Sequence, residues 1–261
     1  MTILEKIIAY KKQEVSELKR EVMVEKLVKS PSFNRTPISF KKALTTKNSS
    51  GIIAEFKRKS PSKDEINMDA SVIDVTNGYI NANAAAQSIL TDIHFFGGNI
   101  MDIMQARSVN DSIPILRKDF IVDAFQIVES KAIGADAILL IASVLSKEEI
   151  KKYGQLAEDL GLEVLYEIHN EEELEKLNPT NQIIGVNNRN LKTFEVDLET
   201  SIELSSLIPN TCVKVSESGI SDPRIVTGLK AYGFKGFLIG ENFMKSNNPG
   251  QSCKEFINQL D

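Results

Sequence analysis

Cysteine occurs twice and histidine twice in 261 residues, and each scarcity removes a class of protein. Cys212 and Cys253 build neither a disulfide framework nor a zinc spacing, so a reducing cytoplasm is the expected compartment. His94 and His169 have no second ligand at a recognised spacing, so no metal site is expected. No apolar run is long enough to span a bilayer, and the start Met-Thr-Ile-Leu-Glu-Lys carries acid early, unlike a signal peptide. Excess positive charge is also lacking. The formal balance of -5 argues against nucleic-acid or membrane-surface partners, while leaving room for a local basic pocket that holds a small anion. What remains is 42% hydrophobic and 26% charged residues, the composition of an ordinary globular protein.

The chain begins with Ile3, Ile7, Ile8, Val15, Leu18 and Val22 at helical spacing, which predicts one or two amphipathic helices between Thr2 and Lys29. Pro31 and Pro37 interrupt the next stretch, and a short helical piece over Phe40 to Leu44 leads to a polar run ending at Gly51. These first 50 residues read as an extension leading into the core fold. From Ile52 onward an apolar strand, a loop and an amphipathic helix recur. Strands are expected at Ile52 to Phe56, Ala84 to Leu90, Ile113 to Lys118, Ala137 to Ile141, Leu162 to Glu167, Ile183 to Asn187, Cys212 to Ser216 and Gly236 to Ile239. Helices are expected at Asp69 to Asn81, Asn99 to Val109, Asp123 to Ile133, Lys147 to Leu160, Glu171 to Leu177, Leu198 to Ser206, Asp222 to Ala231 and Gly250 to Leu260. Ser146 with Glu149 has the form of a capping box, Ser221-Asp222-Pro223 starts another helix, and Gly134, Gly161 and Gly233 stand at helix ends.

Eight such units imply an α/β fold, a (β/α)8 TIM barrel over residues 51–261 carrying the N-terminal helical extension as one domain. An open doubly wound sheet is disfavoured, because the turn after the first strand is Arg58-Lys59-Ser60-Pro61-Ser62-Lys63 and no glycine-rich dinucleotide loop appears.

Barrel active sites are built at the C-terminal ends of the strands. Residues two apart on a strand share a face, so Glu55 and Lys57 point the same way as Ile53, into the barrel. The third strand ends in Lys118, with Arg117 on the opposite parity. The fifth ends in Glu167. The sixth ends in Asn187 and is followed by Arg189, and the seventh runs into Glu217 and Ser218-Gly219. Opposed ammonium and carboxylate groups in a partly dry mouth can be tuned as general acid and base, worth roughly 10²- to 10⁴-fold in rate. Ser218-Gly219 and Gly240-Glu241 offer backbone N–H groups where barrels commonly hold phosphate, so a phosphate ester is the expected ligand. Phe95-Phe96-Gly97-Gly98 either wall in an aromatic substrate or simply pack a loop, and His169, near Glu167 but on a loop, reads as a capping or solvated residue.

Ile53-Ala54-Glu55-Phe56-Lys57-Arg58-Lys59-Ser60-Pro61-Ser62, Ser88-Ile89-Leu90-Thr91-Asp92 with Phe95-Phe96-Gly97-Gly98, Leu116-Arg117-Lys118-Asp119-Phe120, Gly185-Val186-Asn187-Asn188-Arg189-Asn190-Leu191 and Ser216-Glu217-Ser218-Gly219-Ile220 together closely resemble the indole-3-glycerol phosphate synthase family. Two departures stand out: Asp64 where glycine is common, and Gln87 where an aliphatic residue is expected. The resemblance implies closure of 1-(2-carboxyphenylamino)-1-deoxyribulose 5-phosphate to an indole, with loss of carbon dioxide and water and with no metal or organic cofactor. It makes Lys118 the general acid of ring closure and gives proton transfer to Glu167 and Lys57. Glu55 and Asn187 then hold substrate hydroxyls, with Glu217 supporting the network. Ser218, counted with the catalytic set, shares a phosphate cradle with Gly219, Gly240 and Glu241, near Ser60. Arg189 is implied for the substrate carboxylate, and Phe96 with Leu191 for the aromatic ring. Expected partners are the phosphorylated substrate and, by association, other enzymes of tryptophan synthesis, around a monomer. A sister isomerase of the pathway would want a Cys and Asp pair, for which Cys212 sits too early. A barrel that binds phosphorylated ligands without turnover is the alternative of a different class.

Overall fold

The computed structural model describes residues 2–178, 182–190 and 193–260. In chain order, α1 (Ile3–Glu21), α2 (Val24–Leu27) and α3 (Phe40–Thr45) precede β1 (Ile52–Phe56). Then follow α4 (Val72–Asn81), β2 (Ala86–Leu90), α5 (Ile93–Phe96), α6 (Ile100–Ser108), β3 (Ile115–Lys118), α7 (Ala124–Ile133), β4 (Ala137–Ile141) and α8 (Lys147–Asp159). The chain continues through β5 (Glu163–Ile168), α9 (Glu171–Leu174), β6 (Ile183–Asn187), α10 (Glu199–Ser205), β7 (Val213–Glu217), α11 (Pro223–Ala231), β8 (Phe234–Ile239), α12 (Glu241–Met244) and α13 (Pro249–Ile257). The eight strands pair in parallel, each with the next, and β1 with β8 closes the barrel.

Strand parity divides the core into two shells. Ile53, Ala86, Leu116, Leu139, Leu165, Ile183, Val215 and Leu238 pack together inside the barrel. Their sequence neighbours, among them Ile52, Ala54, Ile115, Ile138, Tyr166, Ile184 and Phe237, pack outward with the helices. Because each strand is covered on both sides, its sequence reads as a continuous apolar run rather than an alternation.

The elements fall where the sequence places them, with shifts at the ends. β2 and β3 each begin two residues later than expected, because Pro114 offers only its carbonyl, which accepts from the Gln87 N–H. β8 begins two residues earlier, and α9 stops at Leu174 rather than Leu177. The capping box at Ser146 and Glu149 is present, and Asp222 caps α11 with Pro223 in its first turn. Gly134 ends α7 in the left-handed region at φ 96°, which a side chain would resist. Gln87, unexpected in a strand of this kind, is fully buried on the helix side. There its amide donates to the Thr76 carbonyl at 2.7 Å and accepts from Asn110 at 3.2 Å, so the polar group is satisfied.

The N-terminal extension touches both ends of the barrel. At the bottom, α3 inserts Phe40 and Leu44 into the inner shell. Ser39 Oγ and the Lys41 N–H there donate to the Glu163 carboxylate at 2.7 and 2.6 Å, satisfying a charge that starts β5. At the top, α1 lays Ile3, Leu4 and Ile7 against the mouth. Lys11 fixes it there: its ammonium, 2% exposed, lies 2.9 Å from Asp92 and 3.1 Å from Asp119, just beyond the ends of β2 and β3. Burial alone would lower the Lys11 pKa, but Asp119 and Asp92 overcome that and hold it above lysine's usual value.

Candidate active site

The inner faces of β1, β3, β5, β6 and β7 end in polar side chains while β2, β4 and β8 end in Leu90, Ile141 and Leu238, and all of these meet in one cavity of about 150 Å³. Glu55, Lys57, Ser60, Phe96, Lys118, Glu167, Asn187, Arg189, Glu217, Ser218 and Glu241 all line it. Gly219 and Gly240 stand beside it, one residue from Ser218 and Glu241 respectively, rather than on its wall. Leu191 lies outside the described residues.

At the centre is Lys118. Its ammonium donates to Glu167 Oε2 at 2.9 Å and lies 3.3 Å from Glu217 Oε2. Lys57 pairs separately with Glu55 Oε1 at 2.8 Å, and Ser88 Oγ reaches Glu55 Oε2 at 3.3 Å. Asn187 links the next two strands: its amide donates to Glu167 Oε1 at 3.2 Å, and its carbonyl accepts from Ser218 Oγ at 2.8 Å and the Arg189 N–H at 3.0 Å. The Arg189 guanidinium donates to the Phe194 carbonyl at 3.0 Å. Arg117, on the other parity, runs into the helix layer, where it meets Glu129 at 2.8 Å and Asp119 at 3.2 Å.

Burial by itself pushes the Lys118 pKa down. The carboxylates of Glu167, Glu217 and Glu55 outweigh it and hold the ammonium well above lysine's usual range. A single ammonium does not neutralise all the carboxyls around it. Burial raises Glu167, but Lys118 first and then His169 bring it below the usual carboxylate value. Glu217, whose two oxygens are buried without a hydrogen-bond partner, is pushed up to about 7 by burial and by the charges of Glu167 and Glu55, against the pull of Lys118. The pocket thus holds an ammonium, a carboxylate and a carboxyl group pushed up to about 7.

Room for these groups comes from glycine. A Cβ on Gly185 would run into Glu217 Oε1, and one on Gly240 into Glu55 Oε1. Gly240 therefore seats a carboxylate as well as bordering the phosphate region that the sequence suggests. The roof and walls are apolar: Ile3, Leu4 and Ile7 from α1, with Leu90, Phe96 and Phe120. Of the two phenylalanines of the β2 loop, only Phe96 lines the cavity, its ring 5.9 Å from that of Phe120. Phe95 packs edge-on against Tyr10 at 5.8 Å.

Two contributions escape the sequence. The roof from α1 leaves no local mark, because Ile3, Leu4 and Ile7 read as ordinary apolar positions of an amphipathic helix. His169 does lie on the loop after β5 near Glu167, but it is 12% exposed rather than solvated and turns its ring toward that carboxylate. The signal for it was strand parity, since His169 follows Glu167 by two residues.

Fold and site together define a (β/α)8 barrel with a pocket of paired lysine and glutamate side chains at its mouth. A family model described as indole-3-glycerol phosphate synthase matches residues 4–256. The indole-3-glycerol phosphate synthase of Bacteroides thetaiotaomicron is 48% identical over 260 residues, covering 99% of this chain and 98% of the relative. That of Acetivibrio thermocellus is 42% identical, covering 97% and 98%. The chain belongs to the indole-3-glycerol phosphate synthase family, decarboxylating lyases of tryptophan biosynthesis. Solved structures share the fold. KGPDC from Streptococcus mutans has a TM-score of 0.61 at 13% identity, covering 80% of this chain and 96% of that one. A chain of the tryptophan synthase a2b2 complex from Pyrococcus furiosus has a TM-score of 0.57 at 16% identity, covering 81% and 98%. Among the described residues, no helix is long and apolar enough to cross a membrane.

Proposed function

We propose that the cavity closes 1-(2-carboxyphenylamino)-1-deoxyribulose 5-phosphate to indole-3-glycerol phosphate by general acid–base catalysis, with Lys118 as the central acid. The observation that carries the assignment is Lys118 itself, held charged between Glu167 and Glu217 in a pocket roofed by apolar side chains. Ring closure needs a proton on the ketone oxygen as the aryl carbon bearing the carboxylate attacks the ketone carbon. Lys118 gives that proton. Loss of carbon dioxide then returns the bonding pair to the ring without a further proton. In the dehydration, a hydroxyl leaves as water after taking a second proton, and a base removes one from the ring. Glu167, ionised and fixed by Lys118 and Asn187, suits the base. Glu217, titrating near neutrality, suits the exchange of protons between steps. Counting charges, a substrate carboxylate becomes neutral carbon dioxide, so each turnover takes up one proton.

Glu55 and Lys57 form a second ion pair at the end of β1, suited to the sugar hydroxyls and the phosphate end. Ser60, Ser218 and the backbone around Gly219, Gly240 and Glu241 surround the same end. Arg189 suits the substrate carboxylate, and Phe96 and Phe120 suit the ring. The buried thiols of Cys212 and Cys253 fit a reducing, cytoplasmic setting.

The test is formation of the fluorescent indole product by the wild type beside Lys118→Ala and Lys118→Arg. Wild-type turnover with a fall of roughly 10²-fold or more in both variants is expected, since arginine does not release its proton near neutral pH. Activity that survives intact in Lys118→Ala removes Lys118 from the chemistry. Ligand binding with no turnover by the wild type makes the barrel a binding protein instead.

A further inference from the structure

Around Glu167 one neighbour has no part in the scheme above. His169 follows it by two residues, one past the end of β5, and its ring turns toward Glu167. The His169 ring is braced from behind: its own backbone N–H donates to Glu173 Oε2 at 2.9 Å, and Nδ1 lies 3.1 Å from the same oxygen. Glu173 is braced in turn by Asn170, the N-cap of α9, whose side-chain oxygen accepts from the Glu173 N–H at 2.9 Å. The ring is thereby aimed with Nε2 toward Glu167 Oε1 at 3.5 Å, and Nε2 is buried without a hydrogen-bond partner. A buried nitrogen so placed wants a proton, because its lone pair would otherwise face a carboxylate.

We propose that His169 is a positioning residue for Glu167: charged, and held by the Asn170–Glu173 bracket, it works with the Asn187 amide, 3.2 Å from the same oxygen, to hold Glu167 Oε1 and leave Oε2 to Lys118. The inference rests on the reading of Glu167 as a catalytic base. The groups facing the ring are Glu167 from β5, Glu173 from α9 and, further off, Glu217 from β7, with Lys118 from β3 on the other side of Glu167. Burial lowers the His169 pKa, but Glu173 and Glu167 more than offset it, so the ring keeps its proton above the usual histidine range. When the proton is lost at higher pH, with Nδ1–H still on Glu173, the Nε2 lone pair turns on Glu167. Glu167 Oε1 then loses that anchor, the carboxylate is free to turn out of its working orientation, and kcat falls. His169 does not line the cavity, so substrate affinity has no reason to change with it.

The chain has two histidines, so a histidine NMR titration of the wild type and His94→Gln assigns His169 directly. The expected result is a His169 pKa above 6.5 that drops in Glu173→Gln. Kinetics are measured across pH for wild type, His169→Ala, His169→Gln and Glu173→Gln, with thermal melts to confirm folding. His169→Ala is expected to lose about 10- to 100-fold in kcat with KM within about twofold, the scale of a misplaced catalytic group. His169→Gln, a neutral donor, is expected to regain much of kcat while losing the alkaline limb of the wild-type profile. Glu173→Gln is expected to move that limb to lower pH. The proposal is overturned if His169 titrates at or below 6.5 in the wild type, if folded His169→Ala keeps the wild-type kcat and pH profile, or if its loss lies in KM. Wild-type and Lys118→Ala rates from the same assay report separately on whether the pocket catalyses the reaction at all.

Discussion

Gly185 shows how small a side chain the site tolerates. Its missing Cβ is the space that Glu217 Oε1 occupies, while Leu165 lies 3.1 Å from the same point. A methyl there would meet the free end of a flexible side chain, which can swing away at modest cost. The fold should therefore survive Gly185→Ala, but Glu217 would be driven from Lys118. The expected outcome is a loss of about ten-fold or more in kcat with a small change in melting temperature, checked by kinetics and calorimetry on the same preparation. Equal loss of stability and activity would mean that the barrel wall, not Glu217, had absorbed the clash. At this scale, Lys118, Glu167 and Asn187 were legible from parity and strand position alone. The state of Glu217 was not, because its raised carboxyl pKa depends first on how deeply the folded barrel buries it and then on how many other carboxylates surround the same ammonium.

Among the elements, α1 is the one whose role depends wholly on its seat. Lys11 carries the connection: removing its ammonium leaves Asp92 and Asp119 facing each other's charge at the ends of β2 and β3. Asp119 keeps Arg117 at 3.2 Å and Thr91 at 2.5 Å, and Asp92 keeps its bond from the Phe95 N–H at 2.7 Å, so part of the network persists. Breaking a buried ion pair from one side costs about 3–5 kcal/mol. Lys11→Met is expected to lower the melting temperature by roughly 2–4 °C for each kcal/mol. It should also raise KM several-fold as Ile3, Leu4 and Ile7 loosen over the pocket. A variant destabilised with unchanged KM would confine Lys11 to holding the fold. The periodicity of α1 predicted the helix well, but an amphipathic helix does not say which surface it will cover.

For the whole molecule, stability should depend on pH in two directions. Asp119 is held below its usual value: burial raises it, but Lys11 and Arg117 win. Its contribution is present above the unfolded pKa of 3.8 and is lost as pH falls through the folded value. Glu217 acts the other way. With its carboxyl raised from 4.5 to about 7, the folded state keeps a proton that the unfolded chain has released, so stability declines as pH climbs through that window. His169, raised above 6.5, adds to the same decline at its upper end. The melting temperature is expected to peak near pH 5 and to fall toward pH 8 by an amount worth roughly 1–3 kcal/mol. Glu217→Gln should remove most of the alkaline decline and leave the acid limb in place. A decline of unchanged size in that variant would assign it to other groups.

The sequence by itself determined the alternation of eight strands and helices and the inward parity of Glu55, Lys57, Lys118 and Glu167. Both follow from local periodicity, since a strand repeats every two residues wherever it lies. It also carried the family through motifs that keep their order along the chain. Only the tertiary structure decided which charges meet in the mouth, and that α1 roofs it while α3 plugs the bottom. Those outcomes depend on residues far apart in the chain, such as Lys118 and Glu167 or Lys11 and Asp119, which closure of the barrel and the docking of α1 bring within about 3 Å.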